Sequence, residues 1–239
     1  MRLSRLIFVA LMGFALIAAA CGGGSDDDKA DDSDVSAATV LSSASDRWSE
    51  TETVHFKLAV DGDAYIDSGK TIKLLSAEGD MKRPDSVKAD AKIDVQISQV
   101  NISLIAIGTD AWMTNFITGA WEKAPSDFTY NPAVLFDKDN GIGPILANLQ
   151  NAELDGTEKV NDRDAYKVNG SVDEATVALV TAGSIQGQQI DVQLWVDKET
   201  SDLLRVKLEE PEGVRDNPVT WTLDLTKQGE DVTIEAPAS

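Results

Sequence analysis

Apolar residues fall on every second position through most of this chain beyond residue 53. Val54, Phe56, Leu58 and Val60 alternate with His55, Lys57 and Asp61. The longest run is Val87, Ala89, Ala91, Ile93, Val95 and Ile97, interleaved with Lys88, Asp90, Lys92, Asp94 and Gln96. A period of two sustained that long predicts an antiparallel strand with one apolar face and one wet face. Strands are also predicted over Thr71 to Arg83, ending at Pro84, and over Val100–Ile107, Ala111–Thr114 and Trp121–Lys123. Two more follow over Ala152–Val160 and Ala165–Asn169. Near the C-terminus the faces read Ile190-Val192-Leu194-Val196, then Leu204-Val206-Leu208, then Val219-Trp221-Leu223-Leu225, and last Val232 with Ile234.

Three stretches follow the helical period instead. Ser36 to Ser49 places Val40, Leu41, Ala44 and Trp48 on one face. Asn131-Pro132 offers an N-cap followed by proline at the first helical position. After a break at Gly141, Ile142, Ile145, Leu146 and Leu149 form a further stripe. Asp173-Glu174 opens a short helix containing Val177, Leu179 and Val180. About ten strands with few, short helices predict an α+β fold. A long meander must cover its apolar face, so the expected architecture is a strongly curved antiparallel sheet, an incomplete β-barrel, with helices on its concave side. Where the helices fall short of filling the hollow, an apolar cavity remains. The small inward residues Ala89 and Ala91 suit either a cavity or a close-packed helix.

The first 34 residues carry a different pattern. Arg2 and Arg5 precede an apolar run from Leu6 to Ala18, too short for the roughly 20 residues that span a bilayer and suited to a secretory signal. Ala18-Ala19-Ala20-Cys21 resembles a bacterial lipobox. Residues 1–20 are therefore expected to be a lipoprotein signal peptide and Cys21 the lipidated new N-terminus; the plainer alternative is a signal peptide cut after Ala20. Residues 21–34 read as the lipidated cysteine with an acidic, disordered tether, about 20 Å in root-mean-square reach. Residues 35–239 read as a single domain, held at the outer face of the cell membrane.

Charge narrows the partners. The chain is −20 overall, and without Arg2 and Arg5 the remaining 19 basic and 41 acidic residues give −22. Such a surface is repelled by nucleic acid and by anionic headgroups, so membrane residence has to come from covalent lipid. One cysteine allows no internal disulfide and no cysteine-based metal site. His55 is the only histidine and lies on the polar face of its strand, so serine-histidine, cysteine-histidine and zinc constellations are missing. Asp137 to Asn148 faintly resembles a calcium loop, but Gly141 replaces a ligand and position twelve is Asn148. It reads as a turn between helices. Neither an enzyme nor a cofactor is expected.

The motifs Gly108-Thr-Asp-Ala-Trp112-Met-Thr and Gly119-Ala-Trp121-Glu-Lys, the stretch from Asn131-Pro-Ala to Asn169-Gly, and the closing VQLWVDKETSDLLRVKL and VTIEAP segments resemble the LppX/LprA/LprF/LprG lipoproteins of actinobacteria. That resemblance implies a LolA-like half-barrel around helices. It also implies an acylated lipid or glycolipid as ligand, carriage within the envelope, a lipid exporter as protein partner, and a monomer. On this reading Phe56, Leu58, Ile93, Val95, Leu104, Leu146, Leu149, Leu194 and Trp221 are the candidate cavity lining. The break at Asn140-Gly141 becomes a gate. The alternative is an envelope adaptor or scaffold for a protein partner such as an exporter, with the concave side filled.

Overall fold

The computed structural model describes residues 35–67, 69–124 and 132–238. The expectations for the signal peptide, Cys21 and the tether lie outside these residues, as does the Asn131 cap. Helix α1 spans Ala37–Glu50, and the Ser36 side chain accepts a hydrogen bond from the Thr39 N–H at its start. Its buried face is Val40, Leu41, Ala44 and Trp48, the stripe that the helical period predicts.

Eleven strands follow: β1 (Thr53–Asp61), β2 (Lys73–Lys82), β3 (Ser86–Asp94), β4 (Gln99–Ile107), β5 (Asp110–Thr114), β6 (Trp121–Lys123), β7 (Gln150–Val160), β8 (Arg163–Asp173), β9 (Gln189–Asp197), β10 (Leu203–Glu209) and β11 (Thr220–Thr226). They form one antiparallel sheet in the order β6-β5-β4-β3-β2-β1-β11-β10-β9-β8-β7. The ladder closes at its centre, where β1 pairs with β11 and Asp61 stands opposite Thr220. The sheet stays open, with β6 and β7 at its edges. Between β6 and β7 lie a 3-10 turn, Pro132–Phe136, and α2, Ile142–Ala147. The short α3, Glu174–Val177, follows β8.

The strand directions give the sheet two rims. Asp61, Asp94, Asp173 and Thr220 end or begin their strands at one of them, the upper rim. The turns joining β2 to β3, β4 to β5, β7 to β8 and β9 to β10 make the lower rim. Leu104 on β4 and Val206 on β10 line a common cavity, although five strand spacings separate them in the sheet order. On a flat sheet five spacings of ~4.8 Å are ~24 Å, so the sheet curls. Gly79 admits part of that bend: a Cβ there would sit 2.1 Å from the Lys88 carbonyl oxygen and 2.6 Å from the Ala89 Cα.

Two charged clusters fasten the helices to the lower rim. Arg47 in the last turn of α1 donates from Nε to Asp202 at 2.6 Å. Arg163 donates to Asp197 at 2.8 Å and to the other oxygen of Asp202 at 2.9 Å. Burial pushes the Asp197 carboxyl up, yet the Thr200 N–H, Arg163 and the Glu199 N–H outweigh it and hold the group below its ordinary range. Asp202 is likewise raised by burial, and Arg47 and Arg163 bring it below the ordinary value. Arg83, just after β2, donates to the carbonyls of Thr51, Phe136 and Trp48 at 2.8, 2.9 and 2.9 Å. Its guanidinium also lies 4.4 Å from the Phe136 ring centroid. One side chain thus holds the end of α1 and the end of the 3-10 turn.

Four expectations change. The helix predicted from Pro132 is a 3-10 turn with a separate six-residue α2, because Asp137 closes a turn by accepting from the Asp139 and Asn140 N–H groups. The last strand, at Val232 and Ile234, does not form. The chain leaves β11 in mid-sheet, where β1 already pairs with β2 and β11, so the tail meets no free ladder. Strand β3 ends at Asp94; Gln96 takes φ +70°, and Ile97 is turned out of the strand at a hairpin tip. Leu179 is exposed beyond α3, while Val177 and Val180 are buried.

Candidate functional site

The inward faces of β1, β2, β3, β4, β10 and β11 surround a cavity of about 80 Å³. Phe56 and Leu58 come from β1, Leu74 and Ala77 from β2, and Ala89, Ala91 and Ile93 from β3. Ile102 and Leu104 of β4 complete one side, and Val206, Leu208, Trp221 and Leu223 the other. Pro132 and Leu135 of the 3-10 turn, Ile142 and Ile145 of α2, Val180 and Ile66 form the remaining wall. Every one of these side chains is apolar, so the wall offers hydrocarbon contact and no hydrogen bond.

The alternation that makes the strands also builds this wall, since positions i and i+2 face the same side. Ala77 stands opposite Ala91 in the β2–β3 register, and these two methyls with that of Ala89 leave the space that larger side chains would occupy. Toward the lower rim, Val54, Met81, Val87 and Leu225 are fully buried and lie outside the cavity wall, which closes that end. Toward the upper rim the cavity reaches Ile66, Leu74, Ile93, Leu208 and Trp221.

The charged groups near that end are used on one another. Glu210, its side chain fully buried, accepts from the Gln186 N–H at 2.9 Å, the Val219 N–H at 3.0 Å and Arg215 at 2.7 Å. Arg215 also donates to the carbonyls of Asp63 and Ser184. The Trp221 indole N–H donates to the Ser184 hydroxyl at 3.1 Å, so its polar atom is satisfied while its ring faces the cavity.

Of the nine lining candidates read from the sequence, Phe56, Leu58, Ile93, Leu104 and Trp221 stand on this wall. Leu146 and Leu194 are buried in the same core, and Val95 and Leu149 are packed against it, each away from the cavity. Val206, Leu208, Leu223 and Ala77 share the periodic signal of the named residues and were legible as inward positions. Ile66 belongs to the irregular β1–β2 connection, where no period marks it. His55 lies on the outward face, its ring nitrogens 2.8 Å from Asp80 and 3.4 Å from Glu78. Among the described residues no group of three or more His, Cys, Asp or Glu side chains is placed to hold a metal ion. No described helix is long and apolar enough to cross a membrane.

Comparison with known proteins follows the same lines. Residues 36–234 match the model of the LppX_LprAFG lipoprotein family. The chain is 24% identical over 207 residues to the lipoarabinomannan carrier protein LprG of Mycolicibacterium hassiacum, covering 85% of each. It is 28% identical over 122 residues to the putative diacylated glycolipid transporter LprF of Mycobacterium bovis, covering 48% of this chain and 44% of that protein. The crystal structure of LprF from Mycobacterium bovis superposes with a TM-score of 0.68 at 20% identity, over 85% of this chain and 97% of LprF. That of Mycobacterium tuberculosis LppX gives 0.60 at 16% identity, over 83% and 98%. The fold is thus shared with both.

Proposed function

Because the chain belongs to the LppX_LprAFG lipoprotein family, we propose that it takes up the acyl chains of a lipid or glycolipid in this cavity and carries the molecule within the cell envelope, anchored at the outer face of the membrane by lipid on Cys21. The observation that carries the reading is the wholly apolar cavity between the open sheet and its helices. Relatives named as carriers of lipoarabinomannan and of diacylated glycolipid support the class of cargo.

The mechanism needs burial alone. Scaled from the ~150 Å³ cavity that takes one benzene, the 80 Å³ cavity takes roughly three methylenes. At ~0.8 kcal/mol each that is about 2.4 kcal/mol, an affinity near ~20 mM before the cost of association. A whole acyl chain therefore requires the cavity to widen. The movable wall is the one that lies outside the sheet ladder: Leu135 of the 3-10 turn with Ile142 and Ile145 of α2. The Asp137–Gly141 turn between them is the hinge we assign to the gate. Headgroups stay at the upper rim, since the wall has no polar atom to receive them.

Native mass spectrometry of the protein extracted without detergent tests this. The expected result is one or more co-purifying lipid masses that exchange with added lipid. A clean protein mass, with no uptake of offered acylated lipid, would reject the carrier reading in favour of an adaptor.

A further inference from the structure

Among the described residues the large apolar side chains that face water are Ile97, Phe116, Ile117, Leu179 and Val214. All five lie in connections at the upper rim. Ile97 is at the β3–β4 tip and Phe116 and Ile117 are at the β5–β6 tip; Leu179 follows α3 and Val214 lies between β10 and β11. The lower rim is the opposite. Its described turns read Arg83-Pro84-Asp85, Gly108-Thr109, Asn161-Asp162 and Lys198-Glu199-Thr200-Ser201-Asp202, and none of these exposes a large apolar side chain.

The two hairpin tips are also free of charge in a strongly acidic chain. Residues 95–109 and 111–121 contain no Asp, Glu, Lys or Arg. Ile97 is 92% exposed and Ile117 80%. Nor are the tips loose. Gln96 donates its N–H to Asp94 at 2.8 Å and its side-chain amide to the Lys70 carbonyl at 3.2 Å. The Asn115 side chain accepts from the Ile117 and Thr118 N–H groups at 3.0 and 3.1 Å. Each turn thus holds its apolar residue outward. Trp121, half-buried, begins β6 beside the second tip, and tryptophan favours the membrane-water interface.

We propose that the upper rim is a membrane-docking edge: Ile97, Phe116 and Ile117 enter the outer part of a neutral bilayer and set the cavity's upper end against it. Three things favour a bilayer over a protein partner, and a fourth selects the lipid. The apolar groups sit singly on separate tips instead of forming one patch. They ring the end that the cavity reaches. The two hairpin tips have no charged residue of their own to desolvate; the nearest carboxylates, Asp94 and Glu122, lie at the strand ends behind them. The acidic remainder opposes anionic headgroups, which limits the match to neutral lipid. The proposal adds an orientation to the carrier reading and rests on the exposure pattern instead of on that reading.

The test uses the full chain reconstituted in phosphatidylcholine vesicles, with an environment-sensitive fluorescent amino acid at position 97, 117 or 161 in turn. Quencher groups are placed on the upper acyl chains. Quenching at 97 and 117 at least about threefold stronger than at 161 is expected, and Ile97→Ser/Phe116→Ser/Ile117→Ser should abolish the same contact read from position 179. Equal quenching at both rims, or stronger quenching at 161, would overturn the docking edge, as would emission at 97 and 117 that stays water-like on the vesicles. Lipid masses measured on the same preparation separate the two claims: docking without bound lipid removes the carrier and keeps the edge, and bound lipid without docking does the reverse.

Discussion

Replacing Ala91 with leucine gives the most direct test of the cavity. Ala91 lines the wall opposite Ala77 and is only half-buried, so its added carbons extend into existing space. Leucine brings three more carbons, about as many as the roughly three methylene-sized groups that 80 Å³ admits. At ~0.8 kcal/mol for each displaced methylene, lipid binding should weaken by about 2.4 kcal/mol, roughly 50-fold. The free protein should melt at the same temperature or higher. Filling an apolar void gains burial, against which overpacking sets a cost of about 1–3 kcal/mol where a neighbour must move. Lipid occupancy by native mass spectrometry and the melting temperature of the lipid-free protein are read on the same sample. Wild-type occupancy with an unchanged melting temperature would refute the reasoning, because leucine would then occupy space that lipid does not use. Loss of occupancy with a collapsed melting temperature would point to strain, and Ala89→Leu on the same wall would then decide between strain and displacement.

Two further outcomes concern the elements that hold the helices. Asp197 and Asp202 both titrate below their ordinary value in the fold, so the stability they contribute is complete above about pH 4 and is lost as the pH falls through their folded values. Arg163→Ala should cost about 1–3 kcal/mol at pH 7 in urea unfolding, and the difference should shrink as the pH falls below the ordinary aspartate range; a pH-independent difference would assign the loss to packing. Gly141→Ala should destabilise by about 2 kcal/mol or more, since a Cβ there would lie 2.5–2.6 Å from the carbonyl oxygens of Asp137, Leu135 and Val134. An unchanged urea midpoint would show that this turn is not the tight hinge described.

The period-two runs carried much of the fold. They placed all eleven strands within about four residues of their ends and missed chiefly where the chain turns. Ile97 continued the alternation of β3 on paper, and Val232 with Ile234 began another. A period reports which side a residue would face if the strand continued. Whether it continues depends on a backbone turn at Gln96 in the first case and on a free sheet edge in the second. The same limit separates Val95, Leu146, Leu149 and Leu194 from the cavity wall, because an inward side chain meets either space or another side chain.

By itself, then, the sequence determined a one-faced antiparallel meander, amphipathic helices to cover it, and the absence of paired histidine or cysteine chemistry, since each follows from local periodicity or from counting residue types. The tertiary structure alone decided three things. The sheet curls until β4 and β10 share a cavity, the helices leave about 80 Å³ beneath it, and among the described residues the exposed apolar tips gather on one rim. Each depends on the direction and spacing of strands distant in sequence, and those are fixed by ladder pairing and packing instead of by any local pattern.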